Sequence, residues 1–98
     1  NPEIDSIFAV NEIYAITAMK VLQKLGKSIP EDIKVIGFTD GFLSKFSNPS
    51  LTAVSQHGKL MGEKAAELLI ERLDQEDIVV NYKTIVVETE LIERESTS

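Results

Sequence analysis

Two short apolar runs, each closed by polar residues, alternate with two amphipathic stretches along this chain. Ile7-Phe8-Ala9-Val10 is continuous and apolar, the pattern of a strand buried on both faces in a parallel sheet. Asn11 then predicts a helix cap, its side-chain oxygen accepting a first-turn amide. Across residues 12–25, Ala15, Ala18, Met19, Leu22 and Leu25 recur at three- and four-residue steps. They predict one buried helical stripe, with Lys20, Gln23 and Lys24 opposite it. Gly26 suits the position just past a helix, and Pro30 keeps helix from resuming. Ile33, Val35, Ile36 and Phe38 predict a second strand. Strand, helix and strand form a βαβ unit with parallel strands and a right-handed crossover.

Past Phe38 the pattern changes. Residues 41–50 mix Gly, Ser, Asn and Pro with Phe42, Leu43 and Phe46, which predicts an ordered loop holding one helical turn. Pro49 biases Asn48 away from helix. Leu51, Ala53 and Val54 lie in a short extended run ending at Gln56, read as chain leaving this layer for another. Residues 58–73 form a second helical pattern, with Met61, Ala65, Leu68, Leu69 and Arg72 inward and Glu63, Lys64, Glu67 and Glu71 mostly outward. Glu67 and Glu71 are a like-charge pair one turn apart, which costs a few tenths of a kcal/mol. Asp74-Gln75-Glu76-Asp77 reads as a solvated acidic loop. Residues 82–92 alternate as a strand does, and 93–98 read as a polar end.

Composition narrows the function. The chain has 98 residues, 43% hydrophobic and 27% charged, which fits one small soluble domain. No apolar run approaches the roughly 20 residues of a membrane span. The chain opens on Asn1-Pro2-Glu3, with no Met and no leader, so a fragment or processed piece is expected. Cysteine is absent, which excludes disulfides and thiolate metal sites within the chain. His57 alone builds no metal site, and neither metal nor cofactor is expected. The net charge of −6 argues against this piece being a nucleic-acid surface, which needs clustered Lys and Arg.

Candidate chemistry gathers where the two strands end, because ligands of open α/β sheets sit beyond the carboxyl ends of strands. Glu12 has two readings there. It is a carboxylate accepting ligand hydroxyls, or a first-turn acid compensating the helix dipole. Asn11 is read as a cap ahead of a ligand group. Thr39 and Asp40 line the cleft, or Asp40 forms an Asx-type turn with Gly41, the reading favoured for it. Gln56 anchors the crossover or is ordinary surface, and His57 marks the start of the second helix. Phe42 and Leu43 read as core, whereas Phe46 reads as an interface residue. No nucleophile–base pair and no phosphate-cradling glycine loop is present, so no catalytic residue and no enzyme activity is expected.

Several phrases stand in one order: Ile7-Phe8-Ala9-Val10-Asn11-Glu12 with Ala15; Leu25-Gly26 with Ile29-Pro30-Glu31-Asp32-Ile33; Val35-Ile36-Gly37-Phe38; Pro49-Ser50-Leu51-Thr52 with Val54 and Gln56; Gly62-Glu63-Lys64-Ala65-Ala66 with Leu68-Leu69; and Leu91-Ile92-Glu93-Arg94-Glu95-Ser96. Together they resemble the C-terminal third of the effector-binding domain of the lactose-repressor/galactose-repressor (LacI/GalR) family of transcriptional regulators. The resemblance implies an α/β fold, part of a periplasmic-binding-protein-like type I architecture: Rossmann-like, parallel-sheeted, three-layered αβα, with this chain spanning both lobes. Residues 1–56 would be the βαβ of the C-terminal lobe plus a crossover strand. Residues 57–98 would be a helix and strands of the N-terminal lobe plus the return crossover.

The resemblance also implies a cytoplasmic, allosteric, dimeric repressor-type protein. Its partners would be a small carbohydrate-like effector and operator DNA, the latter read by a helix-turn-helix absent from this chain. Glu12 occupies the position of an acid, commonly Asp, that bonds ligand hydroxyls in the family. Gly37-Phe38-Thr39-Asp40 matches the family's Gly-Phe/Tyr-Asp-Asp/Asn turn, with Thr39 in place of the first acid. Ligand contacts are thus expected at Asn11, Glu12, Thr39 and Asp40, the hinge at Gln56 and the dimer contact at Phe46. A periplasmic sugar-binding protein of a transporter or chemoreceptor is the alternative. Open sheet edges would make the 98-residue piece associate or exchange elements with a copy of itself.

Overall fold

A computed structural model describes residues 3–74 and 83–98. Asn1-Pro2, the acidic stretch at Gln75-Glu76-Asp77 and the expected strand start at Tyr82 lie outside the described residues. The chain divides into two compact units, Asn1–Ser55 with Glu90–Ser98, and Gln56–Thr89.

The first unit is the expected βαβ with two strands added. Strand β1 (Ser6–Ala9) is followed by helix α1 (Glu12–Lys24) and strand β2 (Lys34–Phe38). β1 and β2 pair in parallel, from Ser6 opposite Lys34 to Ala9 opposite Gly37. Strand β3 (Thr52–Ser55) runs parallel to β2, with Ile36 opposite Thr52 and Phe38 opposite Val54. The run at 51–56 therefore stays in this sheet through Ser55, where the sequence predicts a departure from the layer. Strand β4 (Glu90–Ile92) returns antiparallel along β3 and ends the sheet. Sequence alternation predicts a strand from 82 to 92, yet among the described residues of that stretch only Glu90–Ile92 are in the ladder. A strand is held by its partner's backbone groups, and alternation alone supplies none.

Helix α1 begins and ends on the expected local chemistry. Asn11 has extended backbone angles and accepts the Tyr14 amide at 2.8 Å. Gly26, at φ +82, takes the left-handed turn after the helix, where a side chain is disfavoured. Ala15 and Met19 are buried on the sheet, and Ala18 and Leu22 half-buried. Leu25, expected in the same stripe, is exposed because it is the capping residue and has left the helical rotation.

The core comprises Ala9, Ala15, Met19, Ile29, Ile33, Val35 and Leu51, with Ile7, Ile16 and Leu22 packed against it. Gly37 lets helix and loop approach β2: a Cβ there would lie 2.9 Å from Leu51 Cδ2 and 3.2 Å from Ala15 Cβ. Gly37→Ala is therefore expected to overpack the core and lower stability by about 1–3 kcal/mol in urea unfolding. On the opposite face of the sheet, Phe8 is exposed and tilts against Phe38 at a ring separation of 6.2 Å. Val10 is exposed as well. The continuous run predicts burial on both faces, but this unit carries a single helix and covers one face. This unit by itself thus holds one helix layer and one sheet layer.

The C-terminal tail, read as a polar end, is built into the sheet. Ser96 and Thr52 are buried, and Thr52 Oγ1 lies 2.7 Å from Thr97 Oγ1. Glu95 Oε1 accepts the Ser50 amide at 3.1 Å and the Ser50 hydroxyl at 3.0 Å. The amide bond chiefly, and the hydroxyl bond after it, hold the Glu95 carboxyl below its ordinary value of 4.5. A carboxyl whose folded pKa is depressed stabilises the fold above its unfolded value and loses that effect as pH falls through the folded value. Glu95→Gln is accordingly expected to be less stable than wild type at pH 7, with the difference shrinking below pH 4.5. Thermal unfolding across that range measures it.

The second unit holds helix α2 (Gly58–Leu73) and the extended residues 83–89. His57 starts the helix from a left-handed conformation. Met61, Ala65, Leu69 and Arg72, expected to be buried, are exposed, and Leu68 is half-buried. One helix and one extended segment cannot enclose a core. They instead leave an open groove of about 390 Å³, lined by Met61, Ala65, Leu68, Ile85 and Val87 among others. The glutamate pair is relieved locally: Glu67 faces Lys64 at 3.6 Å and Glu71 pairs with Lys83.

Candidate cleft at the carboxyl ends of the parallel strands

Because Ala9 lies opposite Gly37, the residues that follow the two strands leave the sheet side by side. Asn11 and Glu12 come from the β1–α1 junction, and Thr39 and Asp40 from the end of β2. This places two carboxylates, an amide and a hydroxyl at one rim of the sheet, beside the amino terminus of α1. The helix dipole favours anions and hydrogen-bond acceptors there.

Each residue has a definite local role. Asn11 uses Oδ1 as the helix cap, and that bond does not involve its Nδ2 donors. Glu12 is half-buried, and its Oε2 accepts the Ser44 hydroxyl at 2.6 Å and the Ser44 amide at 3.0 Å. Gly41 approaches so closely that a Cβ would lie 2.5 Å from both Glu12 carboxylate oxygens. Thr39 is exposed and sits at φ +80, with its amide donating to Val54 O at 3.0 Å. A β-branched residue rarely adopts that left-handed conformation, and such strain concentrates at functional sites.

Asp40 departs from its favoured reading. Its Oδ1 accepts from Arg94 Nη1 at 2.9 Å, and the two side chains are 15% and 12% exposed. The carboxylate thus forms a half-buried ion pair with the tail, a partner that the reading of a local turn with Gly41 did not include. Arg94 also donates to Leu51 O at 2.8 Å. Ser44 and Arg94 are the residues here that local pattern did not single out, and Gly41 was read only as part of a turn with Asp40. The only local sign of Arg94 was a charged pair and a hydroxyl directly after a strand.

Phe46 lies on the 41–50 loop, 71% exposed, with its ring 5.3 Å from that of Phe42, which is 79% exposed. Leu43 is exposed too, so Phe42 and Leu43 are surface residues where core was expected. The loop does hold one helical turn: the Ser47 amide donates to Leu43 O at 3.0 Å. Between this loop and α1 runs an apolar groove of about 500 Å³, lined by Ile16, Met19, Leu43 and Phe46 among others.

Residues 1–97 match the family described as a periplasmic binding protein-like domain. The lactose operon repressor of Rhizobium radiobacter is 39% identical over 92 residues, covering 94% of this chain and 79% of that sequence. The chain belongs to the LacI type of periplasmic binding protein-like domain. The transcriptional regulator CelR of Thermobifida fusca is 35% identical over 95 residues, or 97% of this chain. The chain spans only 27% of CelR's length. A CelR–cellobiose complex has the same architecture, with TM-score 0.89 and 35% identity over 97% of this chain and 28% of that one. A LacI-family regulator from Enterococcus faecalis V583 with bound ribose matches at TM-score 0.90 and 33% identity, covering 98% of this chain and 35% of that one.

Within this LacI-type chain, the structure brings Asn11, Glu12, Thr39 and Asp40 to one rim. Phe46 belongs to the surface loop, and Gln56 stands where the two compact units meet in sequence. Among the described residues, no group of three or more potential ligands is arranged to hold a metal ion. No described helix is long and apolar enough to cross a membrane.

Proposed function

We propose that this chain is part of the effector-binding domain of a cytoplasmic, DNA-binding transcriptional regulator that takes a small sugar-like effector. The observation that carries this reading is the parallel pairing of β1 and β2, with Ala9 opposite Gly37. It brings Asn11, Glu12, Thr39 and Asp40 to one rim of the sheet, which in this reading is one wall of the ligand cleft. The unit Asn1–Ser55 with Glu90–Ser98 is the C-terminal lobe in this reading. Gln56–Thr89 belongs to the N-terminal lobe, with crossovers at Gln56 and just before Glu90. Effector binding works by differential affinity: the sugar favours one lobe arrangement and shifts the population toward it. The cellobiose and ribose named with two related structures support a carbohydrate. The protein is a non-enzymatic sensor whose operator contacts come from a helix-turn-helix outside this chain.

Self-association through the α1–loop groove completes the reading. Phe42 and Phe46 project beside an apolar groove rimmed by Lys20 and Gln23, the mix of aromatic anchor and polar rim that protein interfaces use. The names of the curated relatives, all transcriptional regulators or repressors, favour this function over a periplasmic transport protein.

Calorimetric titration of the full-length protein with cellobiose, D-ribose and a panel of other mono- and disaccharides tests the proposal. One sugar is expected to bind, with affinity reduced at least about tenfold, or about 1.4 kcal/mol, by Thr39→Ala. Absence of binding across the panel, or binding untouched by Thr39→Ala, Asn11→Ala and Glu12→Ala alike, contradicts it.

A further inference from the structure

We infer that Glu12 is a positioning residue that latches the aromatic loop at 42–48 onto α1, so that the cleft wall and the self-association surface share one carboxylate. The inference rests on the reading of Phe46 as an interface residue. Its physical basis is the path of hydrogen bonds. Ser44, a polar residue in the middle of a surface loop, is fully buried. Its amide and hydroxyl both donate to Glu12 Oε2, at 3.0 and 2.6 Å. The Ser47 hydroxyl donates back to Ser44 O at 3.2 Å and to Pro49 O at 2.9 Å, tying the loop to itself. A second tie comes from the other end of α1, where Gln23 Nε2 donates to Asn48 O at 3.0 Å.

The loop is thus fastened to the first and last turns of one helix, with Phe42, Leu43 and Phe46 carried between or beside the two ties. Without the Glu12 tie, the aromatic pair has to be ordered at the moment of association. Immobilising each such side chain costs about 0.5–1.5 kcal/mol. Glu12 also stands at the cleft rim, so a hydroxyl-rich ligand that reaches its carboxylate competes with Ser44. A change in ligand occupancy would then alter the loop, and coupling of this kind is reciprocal between the two sites.

Sedimentation velocity of the full-length protein without sugar, across a concentration series, tests the latch. Glu12→Ala is expected to raise the dimer dissociation constant about tenfold, as ordering costs of this size imply, and Ser44→Ala, which keeps the amide bond, to raise it by a smaller factor. The double variant should be no worse than Glu12→Ala alone, because Glu12→Ala already removes both bonds whereas Ser44→Ala removes only the hydroxyl one. Glu12→Gln keeps an acceptor oxygen for Ser44 and should stay within about threefold of wild type, a difference below 1 kcal/mol. Gly41→Ala, which displaces the carboxylate from outside the core, should behave as Glu12→Ala does and serves if Ser44→Ala fails to fold. Wild-type association in Glu12→Ala and in Ser44→Ala or Gly41→Ala overturns the latch. Phe46→Ala separates the two readings: if it weakens association while those variants do not, the latch alone is wrong. If Phe46→Ala has no effect either, the interface reading falls first and the latch with it.

Discussion

Arg94→Ala is expected to be among the most destabilising substitutions outside the apolar core, lowering the unfolding free energy by about 3 kcal/mol, the low end for removing one partner of a buried pair. Arg94 and Asp40 form a half-buried pair, with side chains 12% and 15% exposed. The Arg94 guanidinium also donates to Leu51 O at 2.8 Å. Truncation strands the Asp40 carboxylate without its counter-charge and leaves the Leu51 carbonyl without that donor. The pairing itself contributes less than this figure, because desolvating both charges offsets much of their attraction. Asp40→Asn/Arg94→Met is therefore expected to recover a good part of the loss. Arg94→Lys is not, since both bonds come from the terminal nitrogen Nη1, which the lysine side chain, one bond shorter, does not reach. Urea unfolding of the four proteins separates these outcomes.

Ser96→Ala is expected to cost about 2–3 kcal/mol, a large effect for removing one oxygen. Ser96 is fully buried. Its hydroxyl accepts the Thr52 amide at 2.8 Å and donates to Val35 O at 2.6 Å. Its own amide donates to Ser50 O, and its carbonyl accepts the Val35 amide. The residue is a rivet between β2 and β3, and the alanine variant leaves a donor and an acceptor unpaired inside the sheet. Ser98→Ala, two residues on and exposed, should stay within about 0.5 kcal/mol of wild type, as surface substitutions usually do. Equal effects at the two serines would show that the tail is not built in as described.

What the sequence made legible was short-range. The Asn11 cap, the Ala15–Met19 stripe and the Gly26 turn follow from residues within one or two helical turns. So do the bounds of α2, which match the periodic stretch at 58–73. The βαβ topology followed because a right-handed crossover leaves little choice. What stayed hidden was long-range and polar. Glu12 finds Ser44 far along the chain, and Asp40 finds Arg94 farther still. No periodicity marks such pairs. Ser96 looked like an ordinary tail residue because burial of a small polar group depends on what folds over it. The apolar sides of α2 and of Phe8 and Val10 were legible as apolar. Their exposure was not, because burial depends on what packs against a face, and periodicity says nothing of that.

The cleft reading joins these parts. Two parallel strands deliver Asn11, Glu12 and Thr39 to one rim, and the Asp40–Arg94 pair fixes the turn that carries Thr39 to the tail. Thr39 stays in a left-handed conformation because the Val54 carbonyl holds its own amide and that pair holds Asp40 beside it. A crystal structure of the full-length protein with its tightest-binding sugar tests the central claim most directly. The account predicts sugar hydroxyls within hydrogen-bonding distance of side chains at the ends of both β1 and β2, Thr39 among them. A sugar seated away from both strand ends, with Asn11, Glu12 and Thr39 facing bulk water, would contradict it.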